Sequence, residues 1–322
     1  MELDGEMRRW DELIPDALGL IFTNLDLQEI LTVIPRVCKS WGKAVAGPYC
    51  WQDIDIDEWS LYCEPEQLGR MVQMLVARSR NGGSLRKLSV SGIEDEVFAF
   101  IADNACALQD LRVPRSDISN SIVEKFAHKL ATVTFLDVSI CPNIGASALE
   151  AIGKHCKSLS TLQRVMHPLT VEDKVCQNDE ALAIANTMPN LKHLEIAYML
   201  VSAEAVLQII FKCPQLKCLD LRGCWEVRLD REFLKEKFPG LTVLGPIVED
   251  SYERWDHCSD DDSEASSYLP WEFLAGDLDD VEFDDTDTFD EAWDDEQRLE
   301  ELELRFYEGF DGGMEYVWPN SP

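Results

Sequence analysis

The sequence predicts an α/β chain in three parts: an N-terminal unit of three helices, a short solenoid of about seven strand-and-helix repeats, and an acidic C-terminal tail expected to be disordered. Three observations carry that expectation. Apolar residues return at helical spacing three times between Trp10 and Trp51, a leucine pattern returns about every 25 residues from Leu85 onward, and the composition turns strongly acidic past Val248. The expected limits are 10–55 for the helical unit, 56–83 for a helical connector, 84–248 for the repeats and 249–322 for the tail.

In the first part, Leu18, Ile21, Phe22 and Leu25, then Leu27, Ile30, Leu31 and Ile34, form two successive i, i+3, i+4, i+7 stripes. Pro15 suits a first helical turn, because its φ is already helical and its missing N–H has no partner to lose there. Asp26 followed by Glu29 has the form of an N-cap with its capping-box partner. Pro35 is expected to stop the second helix, and Val37, Cys38, Trp41 and Val45 supply the apolar face of a third. A unit of about 40 residues sits at the lower limit for independent folding. Some of its apolar surface should therefore cover something outside it.

These residues resemble the F-box. Leu13 to Pro15 match the family's leucine-proline start, and Leu18, Ile21, Phe22 and Leu25 match its first apolar helix. Val37, Cys38, Lys39, Ser40 and Trp41 match its Val-Cys-(Lys/Arg)-x-Trp segment, and Trp51 its closing tryptophan. Ile14 stands between the usually adjacent leucine and proline, a small departure that leaves the docking face intact. The resemblance implies that Leu13, Ile14, Pro15, Leu18, Ile21, Phe22, Leu25, Val37, Cys38 and Trp41 dock on a Skp-family adaptor, and through it on the cullin and RING subunits of a ubiquitin ligase.

The connector has Leu68, Met71, Val72 and Leu75 at helical spacing, and Gly82 with Gly83 ends it. Beyond it the pattern L-x-x-L-x-(L/V/I) occurs at Leu85, Leu88, Val90; Leu108, Leu111, Val113; Val133, Leu136, Val138; Leu191, Leu194, Ile196; and Leu216, Leu219, Leu221. A weaker copy at Leu159 and Leu162 puts Arg164 where the third apolar residue belongs, and another at Leu241 and Leu244 runs into Pro246. The steps between first positions are 23, 25, 26, 32, 25 and 25 residues, which fits leucine-rich repeats of one strand and one helix each. Segments such as EVFAFIADNACAL and EAVLQIIFKCPQL supply the helices. Each unit alone leaves one apolar face bare, and stacking buries it. No GxGxxG or P-loop pattern supports a doubly wound sheet instead. Cys141 in LDVSICPNIG and Cys224 in LDLRGCWEV resemble the cysteine-containing repeat subclass common in F-box proteins.

Strand side chains alternate between faces. With the leucines inward, Lys87, Asp110, Arg112, Asp137, His193, Glu195, Asp220 and Arg222 are expected on the concave side, as candidate contacts for a client polypeptide. Tyr198 and Trp225 follow two of the strands. The 32-residue step holds an insertion, RVMHPLTVEDKVCQNDE, about seven residues longer than its neighbours, of the kind that maps to a loop on one face. Arg164 and His167 near its start are candidates to meet an acidic segment, of a client or of the tail, with a solvated loop as the alternative.

Net charge is −32, and residues 249–322 hold 27 Asp and Glu against three Arg. Such a field repels phosphate backbones, so no nucleic-acid partner is expected; basic partners suit it better. The tail interleaves Trp255, Tyr268, Trp271, Phe273, Phe283, Phe289 and Trp293 with its carboxylates, the composition of a segment that orders only on a partner, and a short helix is expected from Asp295. Eleven cysteines without a CxxC pair read as reduced thiols, with no metal site. No apolar run approaches the roughly 20 residues of a membrane span, and the acidic start lacks the layout of a signal peptide. A nuclear or cytoplasmic chain is the expectation. The five histidines include no HExxH, no G-x-S-x-G elbow is present, and the tail's carboxylates have no rigid placement, so neither catalysis nor a cofactor is expected.

The F-box followed by leucine-rich repeats is similar to the plant F-box/leucine-rich-repeat proteins, substrate receptors of Skp-cullin-F-box ubiquitin ligases. That resemblance covers residues 10 to about 248. It implies client recruitment for ubiquitination and degradation. A non-degradative scaffold, or an acidic transcription or histone-binding protein acting through its tail, are the alternatives.

Overall fold

The computed structural model describes residues 13–79, 83–166 and 176–247. These belong to the first of two units, Met1–Val248; the second, Glu249–Pro322, lies outside the described residues, and with it the tail and its expected helix. His167 and the middle of the insertion also lie outside them.

The N-terminal unit holds four short helices where three are expected: α1 Pro15–Phe22, α2 Leu27–Thr32, α3 Ile34–Val37 and α4 Lys39–Val45. Pro15 opens α1 as its fixed φ dictates. Pro35 does not end the second helix. That helix stops at Thr32, and Pro35 sits in the first turn of α3, where its absent N–H breaks no bond. Asp26 precedes α2 in extended backbone, yet its carboxylate takes no cap hydrogen bond, so the expected capping box with Glu29 is not formed. The unit closes by packing α4 on α1 and α3, with the rings of Phe22 and Trp41 5.1 Å apart. Trp51 is fully buried and donates its Nε1–H to the Val45 carbonyl at 2.8 Å.

A single parallel sheet of eight strands follows in chain order: β1 Asp53–Asp55, β2 Lys87–Ser89, β3 Asp110–Arg112, β4 Phe135–Asp137, β5 Thr161–Gln163, β6 His193–Glu195, β7 Cys218–Asp220 and β8 Thr242–Leu244. After the short α5 Asp57–Ser60, the helices on its other face are α6 Pro65–Ser79, α7 Asp95–Asn104, α8 Asn120–Phe126, α9 Ala146–His155, α10 Asn178–Thr187, α11 Ala203–Lys212 and α12 Arg231–Lys237. The expected repeat solenoid is present, and it begins earlier than the leucine pattern shows. β1 pairs in parallel with β2, and α6 packs on α7. The stretch expected as a connector is thus the crossover of a first repeat. The alternation Asp53, Ile54, Asp55, Ile56, Asp57 is a strand signal without a leucine in it. Both outward carboxylates of β1 are exposed, which blunts the open edge of the sheet against further pairing. Arg78 of α6 lies 5.1 Å over the Trp51 ring and joins the two parts of the described chain.

Register explains the core. Ile54, Leu88, Leu111, Leu136, Leu162, Leu194 and Leu219 are opposite one another across the ladder and all fully buried, each contributing about 1.5–3 kcal/mol by removal from water. The ladder continues past the three-residue strands: the N–H groups of Arg115, Ile140, Tyr198 and Gly223 reach carbonyls of the next unit, and all four residues have positive φ. At Gly223 a side chain is excluded twice over, by φ of 74° and by the Tyr198 ring, which an added Cβ would meet at 2.2 Å.

Side chains stitch unit to unit as well. The N–H groups of Ser119, Gly145 and Ser202, at the starts of α8, α9 and α11, donate to the side chains of Asp95, Asn120 and Asn178 in the preceding units at 2.6, 2.8 and 2.7 Å. Cys141 and Cys224, just after their strands, donate Sγ–H to the carbonyls of Val113 and Ile196; Cys156 and Cys213, at helix ends, donate to Leu130 and Met188. Helices α9 and α10 approach so closely at Gly153 that an added Cβ would stand 2.0 Å from Thr187 Oγ1 and 2.5 Å from its Cβ. Gly153→Ala is therefore expected to force these helices apart at a cost of about 1–3 kcal/mol, read as a lowered urea midpoint with an unchanged m-value.

Candidate functional site

Two surfaces collect the residues expected to bind partners. On the helical unit, Ile14, Ile21 and Val37 are 67, 43 and 53 % exposed, and Pro15 is exposed beside them in sequence. Leu13, Leu25, Cys38 and Trp41 are half-buried. Leu18 and Phe22, expected with them, are fully buried inside the unit: Leu18 has no exposed surface, and Phe22 lies against Trp41. They hold the unit together and present nothing outward. Leu20 and Val33, which the motif does not mark, are 55 and 53 % exposed. A helix of eight residues or fewer that is apolar on several sides does not reveal from spacing alone which side faces in. The unit therefore carries more bare apolar side chain than water-facing helices need.

The second surface is the concave face of the sheet, where register lays two rows. Asp53, Lys87, Asp110, Phe135, Thr161, His193, Cys218 and Thr242 form one, and Asp55, Ser89, Arg112, Asp137, Gln163, Glu195, Asp220 and Leu244 the other. Arg222 follows Asp220 two residues on. All eight expected client contacts lie here, but several are engaged with one another. Lys87 pairs with Asp53 at 3.0 Å, and Arg112 with Asp110 at 3.1 Å. Arg222 holds Asp220, whose side chain is 3 % exposed, at 2.6 Å. The hydrogen bonds to Asp110 and Asp220 push the Arg112 and Arg222 guanidinium groups further up than usual. Asp220 is thus a buried support for Arg222 and not itself presented. Phe135 was not singled out by its sequence, although it precedes Leu136 as Asp110 precedes Leu111; it lies 4.5 Å beneath the Arg112 guanidinium.

Asp137 behaves differently from these pairs. It takes the Ser139 N–H at 2.8 Å, and burial pushes its carboxyl above the usual carboxylate range; Arg112 draws it down in part, while Glu195 raises it. Among the described residues neither Asp137 nor Glu195 has a cation within ion-pairing distance.

Arg164 lies elsewhere than expected. It occupies the core position that Val138 and Ile196 fill in neighbouring units and is 1 % exposed, buried where an exposed contact is expected. Its Nε donates to Glu180 Oε2 at 3.1 Å, Nη1 to the Val138 carbonyl at 3.3 Å and Nη2 to the Ile144 carbonyl at 2.7 Å. Gln177 Nε2 reaches the other Glu180 oxygen at 3.1 Å. These bonds tie together the two ends of the insertion.

Among the described residues no group of three or more His, Cys, Asp or Glu stands close enough to hold a metal, and no helix is long and apolar enough to cross a membrane. Burial pushes the thiols of Cys50, Cys141 and Cys213 up to about 11 and that of Cys156 to about 12, far from the range of a nucleophile.

No protein-family profile matches the sequence. Curated relatives do. The chain is 53 % identical to the F-box protein FBW2 of Arabidopsis thaliana, over the whole of both chains. It is 30 % identical to the F-box protein SKIP19 of the same plant, covering 89 % of this chain and 95 % of that one. It is 31 % identical to the putative F-box/LRR-repeat protein 9, covering 72 % of this chain and 94 % of that one. With this likeness and the helical unit set before a leucine-rich solenoid, the chain belongs to the F-box/leucine-rich-repeat family, and its role is that of a non-catalytic substrate-recognition subunit of a Skp-cullin-F-box ubiquitin ligase.

Proposed function

We propose that the exposed apolar side chains Ile14, Pro15, Ile21 and Val37, with the half-buried Leu13, Leu25, Cys38 and Trp41 beside them, dock on a Skp-family adaptor, and that the concave face of the solenoid holds the client protein. The adaptor joins the chain to cullin and RING subunits. The observation that carries this reading is the bare apolar surface of a helical unit whose interior is already closed by Leu18, Phe22 and Trp51. Side chains left at 43–67 % exposure on so small a unit have a partner to cover them.

The mechanism is proximity. A ubiquitin-charged conjugating enzyme supplies the chemistry, and the receptor raises the effective concentration of a client lysine near it. The rigid sheet suits that task, because its eight strands fix the spacing of the concave side chains along about 34 Å. The adaptor surface and the client surface belong to different elements, so each can be altered without the other.

Proximity labelling in cells with proteasome activity blocked tests the reading. Intact chain is expected to label a Skp-family adaptor, cullin and at least one further protein that accumulates under the block. Ile21→Asp with Val37→Asp is expected to lose the adaptor and cullin while keeping that further protein. Loss of neither adaptor nor cullin contradicts the docking face; stable levels of every labelled protein when the chain is depleted favour a non-degradative scaffold.

A further inference from the structure

The concave face is not uniform along its length, and its middle differs from its ends. Toward β1 its cations are matched by neighbouring carboxylates, Lys87 by Asp53 and Arg112 by Asp110; toward β8, Arg222 is matched by Asp220. Across β4, β5 and β6 the rows read Phe135, Thr161, His193 and Asp137, Gln163, Glu195. Among the described residues, Asp137 alone of these six side chains accepts a hydrogen bond, from Ser139 through both its N–H and its hydroxyl. The side chains of Gln163 and Glu195 have no hydrogen-bond or ionic partner among the described residues. Both neighbouring cations spend their hydrogen bonds elsewhere, Arg112 on Asp110 over the Phe135 ring and Arg222 in three bonds to Asp220, and reach Asp137 and Glu195 only through space.

We infer that the middle of this face receives a lysine or arginine side chain of the client, seated over Gln163 between Asp137 and Glu195, so that the client class is one with an exposed, extended basic segment. The inference rests on the reading that the concave face holds the client. Two strand spacings separate Asp137 from Glu195, about 9–10 Å, enough to take one ammonium or guanidinium group between them with the Gln163 amide oxygen beneath. Each carboxylate then gains a charge-assisted hydrogen bond that the folded chain alone does not supply. An acidic segment would meet two carboxylates that no cation pairs with directly and be disfavoured, which gives the face selectivity of sign.

The test titrates a fluorescent nine-residue peptide of alternating lysine and serine onto the full chain at physiological salt. The same titration is run on the chain carrying Asp137→Asn and Glu195→Gln, and on Gln163→Lys. Asn still accepts the Ser139 N–H, and Glu195 has no hydrogen bond to lose, so the fold is kept; residues 249–322, whose carboxylates also attract lysine, are unchanged in every variant. The double substitution is expected to weaken binding about tenfold or more, and Gln163→Lys, which lays a cation of the chain's own between the two carboxylates, to do the same. No binding to intact chain, or equal affinity for all three, overturns the inference. A benzoylphenylalanine cross-linker at Thr161, used with client-containing extract, separates this from the reading beneath it. A cross-linked client segment that contains lysine or arginine and is displaced by the peptide supports the inference. A segment without either overturns the basic class and leaves the concave face in place. Client cross-links at Phe211 on α11 and none at Thr161 overturn both.

Discussion

Replacing Arg164 with methionine is expected to destabilise the solenoid by about 3–5 kcal/mol, because it leaves a largely enclosed carboxylate and two buried carbonyls without their donor. Among the described residues Glu180 keeps only Gln177, and the carbonyls of Val138 and Ile144 lose the guanidinium that joins them. Removing the charge on both sides is a different perturbation. With Glu180→Leu added to Arg164→Met, no uncompensated ion remains, and most of the loss should be recovered; buried pairs replaced by apolar residues of like volume are often neutral. Thermal unfolding checks the contrast: a drop on the order of 10 °C for the single variant and a much smaller one for the pair. Amide hydrogen exchange should place the single variant's loss of protection around β5 and α10, since repeats feel chiefly their neighbours. Equal destabilisation by both variants would mean that Arg164 matters through its packing and not through its charge.

The second large effect concerns the helical unit, where two substitutions of the same kind should fail in different ways. Leu18→Asp puts a carboxylate where the side chain has no exposed surface, and the unit should unfold. Ile21→Asp with Val37→Asp puts carboxylates where water already reaches, so folding should be little changed. Docking is what the latter pair should lose. Each apolar side chain covered by a partner is worth about 1.5–3 kcal/mol, and a carboxylate in its place adds a desolvation cost. Together they predict at least about a 100-fold loss of affinity for the adaptor.

Much of the architecture was legible because leucine spacing and strand alternation are direct physical consequences of stacking. Leu88, Leu111, Leu136, Leu194 and Leu219 stand opposite one another as their pattern requires. Two features escaped for equally physical reasons. β1 is built on isoleucine between aspartates, so the leucine count passes over it, although its period of two is plain. Arg164 breaks the apolar pattern, which suggests a surface; burial becomes tolerable only through Glu180, sixteen residues on, and two carbonyls that no spacing rule brings near. For the candidate surfaces, alternation places the concave residues on one face but is silent on pairing. Asp220 and Arg222 share a face and therefore satisfy each other, while Asp137 and Glu195 share a row with Gln163 and do not. Within the helical unit, the F-box resemblance names the right segment, and only packing separates the inward Leu18 and Phe22 from the outward Ile14, Ile21 and Val37.

The most direct measurement is the affinity of purified full-length chain for a purified Skp-family adaptor by surface plasmon resonance, with unfolding curves recorded on the same preparations. The account predicts saturable binding by intact chain and at least about a 100-fold loss in Ile21→Asp with Val37→Asp at an unchanged unfolding midpoint. A folded intact chain that does not bind, or a double variant that binds as tightly as the intact chain, would contradict it.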